Sequence, residues 1–175
     1  MKFGIGQPLK RKEDNKFLTG NGSYTDDLNF KDQVYMYILR SPFASAKIKK
    51  IDFSSATKKE GVITILSNKI ITKLKIRPML PGFTVKNKNG KDMTITSRSI
   101  LADNKVRYVG EPILAIIANT LENAEEAADI IDIEYEDLES TTNIQDAIKK
   151  NAPVVRDELS DNLCFDWELG ELDKT

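Results

Sequence analysis

The stretch 106–138, VRYVGEPILAIIANTLENAEEAADIIDIEYEDL, constrains the fold more than any other part of the chain. It opens with an alternating piece, turns at Gly110-Glu111-Pro112, and then runs apolar without a break from Ile113 to Ala118. So short an apolar run between turn signals predicts a strand buried on both faces rather than a helix. Thr120 is placed to cap a following helix, with Glu122, Glu125 and Glu126 in the early turns, where the helix dipole favours negative charge. Leu121, Ala124, Ala127, Ala128 and Ile131 fall on one stripe at helical spacing, and the alanines permit close packing on a sheet. The pattern then changes to period two, with Ile131, Ile133 and Tyr135 on one side and Asp132, Glu134 and Glu136 on the other. The stretch therefore reads strand, helix, strand. Burial of Ile113, Leu114, Ile116 and Ile117 contributes roughly 1.5–3 kcal/mol each, enough to anchor a core.

The remainder fits around this unit. Residues 34–40 (VYMYILR) are rich in strand formers, and Ser41-Pro42 ends them because a residue before proline avoids the helical region. A second strand is expected over 46–52 and a third over 62–66. A short helix is expected over 54–60, stopped by Gly61, and a helical turn from Ser67 through Ile71. Residues 76–99, with Pro78, Pro81, Gly82 and Asn87-Lys88-Asn89-Gly90, predict a long loop carrying a hairpin. A last helix is expected over 143–150, capped by Asn143 with Ile144, Ala147 and Ile148 on one face, and a short strand over 153–156.

Several functions are excluded by what the chain lacks. It has no histidine, which removes every Ser/His or Cys/His catalytic arrangement and all histidine metal sites. General acid–base work falls to Asp, Glu, Lys, Tyr or Cys164. The single Cys164 excludes an intramolecular disulfide and an iron–sulfur site built by this chain alone. No apolar run approaches the roughly 18–20 residues of a membrane span, and MKFGIGQPLKRKEDN has no apolar signal region, so a cytoplasmic location without membrane association is expected.

Net charge is −1 but unevenly spread: residues 1–105 carry 21 basic and 9 acidic side chains, and residues 106–175 carry 5 and 18. The lysines are scattered rather than clustered with aromatics, so the two halves are expected to face water or each other, and no nucleic acid is expected as partner. The rival reading is a free-standing binding module that uses the basic N-terminal half, conceivably for nucleic acid.

Among residues that could carry chemistry, Gly110-Glu111-Pro112 is the most enzyme-like, because a carboxylate on a tight turn before a buried strand can reach a cleft. The favoured alternative is structural: Gly110 supplies a required φ, Pro112 sets the start of the strand, and Glu111 accepts backbone N–H bonds. Asp26-Asp27 are read as turn formers before a cation site, and Arg40 as an interface or salt-bridge residue before an anion clamp. Cys164, between Leu163 and Phe165, reads as a small buried hydrophobe. Gly4-Ile5-Gly6 lacks the flanking strand and helix of a phosphate loop. No catalytic, cofactor-binding or metal residue is assigned; Arg40, Gly110, Glu111, Pro112 and Trp167 are candidate interface or structural residues.

Four groups of residues, in order, carry a resemblance. Arg11-Lys12-Glu13-Asp14 with Leu18-Thr19-Gly20, Gly22, Tyr24 and Asp26-Asp27 form the first, and Arg40-Ser41-Pro42 with Ala44, Ala46, Ile48 and Ile51-Asp52 the second. After Gly61-Val62, Leu101-Ala102-Asp103 and 106–112 (VRYVGEP) form the third, and Ala124, Ala127-Ala128, Glu134-Tyr135 and Leu138 the fourth. The chain thereby resembles the N-terminal α/β-hammerhead domain of the molybdenum hydroxylase large subunit, as in xanthine dehydrogenase, aldehyde oxidase and aerobic carbon monoxide dehydrogenase. The resemblance implies an α+β fold: a mixed sheet with two main helices packed on it and an extended N-terminal arm. It divides the chain into an arm (1–33), the hammerhead (34–160) and the start of a linker to a molybdopterin-binding domain (161–175). It further implies a scaffold that is not catalytic alone, in an enzyme that hydroxylates an aldehyde, heteroaromatic or carbon monoxide carbon with oxygen from water. Molybdopterin-molybdenum would belong to downstream domains, and iron–sulfur clusters and FAD to partner domains or subunits. Where the family carries histidines after the Ser-Pro, this chain has Phe43 and Ser45.

Overall fold

The computed structural model describes residue 6 and residues 8–170. Gly4 and Ile5, and residues 171–175 of the expected linker, lie outside the described residues. The chain forms two compact units, Met1–Gln33 and Val34–Thr175.

In the first unit, helix α1 (Asp14–Leu18) and a 3₁₀ turn (Thr25–Asp27) are joined through Gly22. The Phe17 and Tyr24 rings stack with centroids 5.4 Å apart. A Cβ at position 22 would collide with the Phe17 ring, so the stack requires glycine there. The Asp27 carboxylate accepts the Tyr24 N–H at 2.8 Å, closing the turn that its sequence suggested.

The described residues of the second unit hold six strands: β1 (Tyr35–Arg40), β2 (Ala46–Asp52), β3 (Val62–Leu66), β4 (Lys105–Val106), β5 (Pro112–Ala118) and β6 (Asp132–Asp137). They form two three-stranded sheets, ordered β1-β5-β3 and β4-β2-β6. The apolar run is the central strand β5. Ile113, Leu114, Ile116 and Ala118 are fully buried, so both of its faces are covered. Helix α3 (Leu121–Asp129) follows, with the Thr120 side chain accepting the Asn123 N–H at 3.1 Å. Its Ala124, Ala127 and Ala128 lie in the core and bring it against β1, β5 and β3. Gly61 (φ +80°) sits beneath this helix: its carbonyl accepts the Asn119 N–H at 2.9 Å, and a side chain there would strike Asn123.

The α+β hammerhead architecture is present, but the expected single mixed sheet is not. All strand pairings among the described residues are antiparallel, and β5 and β6, which flank α3, lie in different sheets. The reason is edge availability. Both edges of β5 are taken by β1 and β3, so the returning strand pairs with β2 instead. That pairing sets the lysines of β2 against the acids of β6: Lys47 lies 3.5 Å from Glu136, and Lys49 also bonds Glu136. The two lysines, Lys49 foremost, hold the Glu136 carboxyl below its ordinary range. Lys59–Glu126 at 2.8 Å, Lys88–Asp166 at 2.6 Å and Lys105–Asp157 at 2.6 Å likewise join the basic half to the acidic half.

The expectation of two main helices also needs correction. Among the described residues only α3 presents a buried stripe. Helix α2 (Asn68–Lys73) buries Ile71 alone, and α4 (Ile144–Ala147) buries nothing. Ile144 and Ile148 remain in solvent, 84% and 66% exposed, so the face shared by Ile144, Ala147 and Ile148 does not join the core. The helix expected over 54–60 is one 3₁₀ turn, Ala56–Lys58. No strand forms over 153–156. The long loop does carry its hairpin, with bridges Met79↔Arg98 and Lys86↔Asp92. Residues 161–170 run beside that hairpin: the Lys88 N–H donates to the Asp166 carbonyl and the Thr94 N–H to the Cys164 carbonyl, both at 2.8 Å.

Candidate functional site

The turn between β4 and β5 is where the second and third groups of signature residues meet. Gly110 adopts φ +87°, which reverses the chain with no side chain to obstruct it. Its N–H donates to the Ser41 carbonyl at 2.8 Å, and the Ser41 N–H donates to the Glu111 carbonyl at 2.9 Å. The Arg40 guanidinium donates to the Gly110 carbonyl at 2.9 Å. Arg40 thus clasps this turn through a neutral carbonyl. Pro112 then begins β5 opposite Arg40, across a register shift between Leu39 and Arg40. Because Pro112 has no N–H, the start of β5 loses nothing to that irregularity.

Glu111 is buried to 5 % exposure, the one buried carboxylate among the described residues. Its carboxylate accepts the Arg107 backbone N–H and lies 3.5 Å from the Arg107 guanidinium. Arg107 also donates to the Lys105 carbonyl at 2.9 Å and approaches Asp103 at 3.4 Å, while its Nε is buried without a partner. Glu111 is therefore fully engaged within its own turn and serves as an internal counter-ion. Lys105, equally buried, reaches the exposed Asp157 at 2.6 Å and tethers 153–157 to the end of β4. Neither Lys105 nor Arg107 stood out as a site residue in the sequence; the available signal was a basic residue on each side of Val106, a fully buried position.

The Lys105 hydrogen bond holds the Asp157 carboxyl below the ordinary carboxylate range. A group whose folded pKa is depressed adds stability above its unfolded pKa of about 3.9, and loses it as pH falls through the folded value. Asp157→Asn should therefore lower stability near neutral pH by about 0.2–1 kcal/mol, a small figure because Asp157 is 69% exposed and its ion pair with Lys105 is screened by solvent. The difference between variant and parent should shrink towards pH 3. Urea titrations at pH 7 and pH 3 measure it, and equal differences at both would rule the ion pair out as the cause.

The other sequence candidates lie apart from this turn. Asp26 is in the 3₁₀ turn of the first unit. Cys164 is half-buried, and Trp167, about half exposed, sits in the segment beside the hairpin. Phe43 packs on Tyr135 with ring centroids 4.7 Å apart, and the Ser45 carbonyl accepts the Leu138 N–H at 2.9 Å. At these two positions the chain carries a packing aromatic and a backbone contact. Among the described residues no three Cys, Asp or Glu side chains converge to hold a metal, and no helix is long and apolar enough to cross a membrane.

Comparison with known proteins agrees with this geometry. Residues 19–139 match the family described as aldehyde oxidase and xanthine dehydrogenase, a/b hammerhead domain. The chain is 33% identical over 159 residues to the nicotine 6-hydroxylase large subunit of Paenarthrobacter nicotinovorans, covering 91% of this chain and 19% of that one. It is 31% identical over 151 residues to the carbon monoxide dehydrogenase large chain of Hydrogenophaga pseudoflava, covering 85% and 17%. The crystal structure of quinoline 2-oxidoreductase from Pseudomonas putida 86 superposes with a TM-score of 0.74 at 32% identity, over 94% of this chain and 20% of that one. The chain thus spans about a fifth of the length of these relatives.

Proposed function

Because the chain belongs to the aldehyde oxidase and xanthine dehydrogenase a/b-hammerhead family, we propose that it is the N-terminal scaffold domain of a molybdenum-cofactor-dependent hydroxylase or dehydrogenase large subunit. The observation that carries this reading is the coverage: the likeness runs through nearly all of this chain, yet occupies only about a fifth of the relatives named above. Relatives in the family are molybdenum enzymes. In such an enzyme the pterin-bound metal supplies oxidation of a substrate carbon with oxygen taken from water.

The residues present here do not fit that cofactor. A pterin site needs converging hydrogen-bond donors and a positioned base beside the metal. The one buried carboxylate among the described residues, Glu111, is occupied by Arg107. In this reading the cofactor and the base belong to downstream domains, with iron–sulfur and flavin domains or subunits as electron partners in the cytoplasm. This domain supplies a rigid packing surface. Leu163, Phe165, Trp167 and Leu169, alternating along the segment beside the hairpin and each about half exposed or more, suit a face that packs on the next domain.

Metal analysis and a dye-reduction assay test the reading. The purified 175-residue chain should carry no stoichiometric molybdenum and oxidise neither aldehydes nor carbon monoxide. Co-production with the molybdopterin domains of a relative should raise its melting temperature. Stoichiometric molybdenum in the chain alone would overturn the scaffold assignment.

A further inference from the structure

Residues 72–84 carry the chain from the end of α2 into the hairpin, and every one of them is exposed. They include Leu74, Ile76, Met79, Leu80 and Phe83, the last 78% exposed. Single apolar residues are ordinary on a protein surface, but a run of them marks a contact face. This strap is also basic: residues 61–91 hold seven Lys and Arg side chains and no acid. Lys86 and Lys88 have partners of their own, Asp92 and Asp166, each at 2.6 Å. Lys73, Lys75 and Arg77 have no carboxylate within ion-pair distance among the described residues.

Backbone bonds hold the strap in place. Helix α2 closes in a left-handed turn at Lys75 (φ +59°), and the Ile76 N–H donates to the Ile71 carbonyl at 3.2 Å. Farther along, Met79 and Arg98 exchange backbone hydrogen bonds at 2.9 and 2.8 Å. A backbone fixed in this way presents its side chains to a partner at little further cost in ordering.

The opposite composition lies on the solvent side of α3. Glu122, Glu125 and Asp129 stand at i, i+3 and i+7, one stripe of the helix surface, and all three are exposed. The exposed Leu121 and Ile130 border them. Among the described residues only Glu126, of the acids of α3, has an ion pair, with Lys59 at 2.8 Å. In its own chain α3 packs on β1, β5, β3 and the 3₁₀ turn Ala56–Lys58, none of which belongs to the strap.

We propose that the strap docks on the acidic stripe of α3 in a second copy of this chain. Each surface combines apolar side chains with charge of one sign, and the signs are opposite. The contact therefore covers Leu74, Ile76 and Phe83 while it sets Lys73, Lys75 and Arg77 against Glu122, Glu125 and Asp129. Because the two surfaces differ, the contact is heterologous: two copies exchange it reciprocally, or further copies add in sequence. It requires the hammerhead unit alone and does not rest on the scaffold reading.

Sedimentation velocity on the full 175-residue chain tests the proposal. Association should grow with protein concentration, with a dissociation constant on the order of 0.1 mM, that of a small transient interface. It should weaken several-fold as sodium chloride rises from about 0.05 M to about 0.5 M. The reversals Lys73→Glu/Lys75→Glu/Arg77→Glu and Glu125→Lys/Asp129→Lys should each weaken it by at least about tenfold. Glu122 is kept, because an acid in the first turn steadies the helix. An equimolar mixture of the two reversed chains should associate again, since each then meets opposite charge on the other. Phe83→Ser should also weaken association, and Lys12→Glu, in the first unit, should leave it unchanged. All these positions are exposed, and circular dichroism checks the fold of each variant. A parent chain that stays monomeric up to about 1 mM, ten times the expected constant, would overturn the proposal. So would association that both reversals leave intact, or a mixture of the reversed chains that fails to associate.

Discussion

Ile116→Asp is expected to remove most of the stability of the hammerhead unit. Ile116 has no exposure, and β5 is hydrogen-bonded on both edges, to β1 at Tyr37 and to β3 at Ile65. No side chain nearby is free to pair with a carboxylate, so the substitution forfeits roughly 1.5–3 kcal/mol of apolar burial and adds the cost of a stranded polar group. Together these reach at least about 4 kcal/mol, against a total stability of about 5–15 kcal/mol for an ordinary domain. The measurement is a urea or thermal melt, with Ile63→Asp, at an exposed position of the neighbouring strand, as comparison. A soluble Ile116→Asp variant melting with the parent would show that β5 is not internal.

The second large effect concerns Glu111. Glu111→Ala removes the acceptor of the Arg107 N–H and leaves a largely buried guanidinium with only the half-exposed Asp103, at 3.4 Å, as counter-ion, a loss of about 3 kcal/mol, the low end for breaking a buried pair. The double variant Glu111→Ala/Arg107→Met, which replaces the buried pair by apolar side chains, should recover most of that loss. A double-mutant cycle read from denaturant melts gives the coupling. If the double variant is as unstable as the sum of the two singles, the pair is not coupled, and Glu111 acts only through its backbone bond.

These two residues also show how legibility divides. The burial of Ile116 was readable because a strand of apolar residues, uninterrupted between a Gly-Glu-Pro turn and a capping threonine, has few other ways to leave water. The role of Glu111 was only half readable. Its sequence position named the turn and suggested backbone acceptance, but the neighbour that claims its carboxylate is Arg107, and nothing local distinguishes that arginine from a solvated one.

By itself the sequence determined the strand–helix–strand unit of 106–138 and its core: the extent of β5, the alanine face of α3, the alternation of β6, and the family through four groups of residues in order. These follow from local chemistry, because turn residues, caps and the spacing of apolar side chains act over a few residues. What only the tertiary structure decided was pairing. Whether β6 joins the sheet of β5 depends on which edges are already taken, and β1 and β3 take both. Whether a lysine or a carboxylate is a surface charge or a buried partner depends on what folds over it, as α3 folds over Gly61 and as 153–157 folds over Lys105. Hydrogen-bond edges and counter-ions are supplied by residues distant in the chain, so their assignment is a property of the assembled fold.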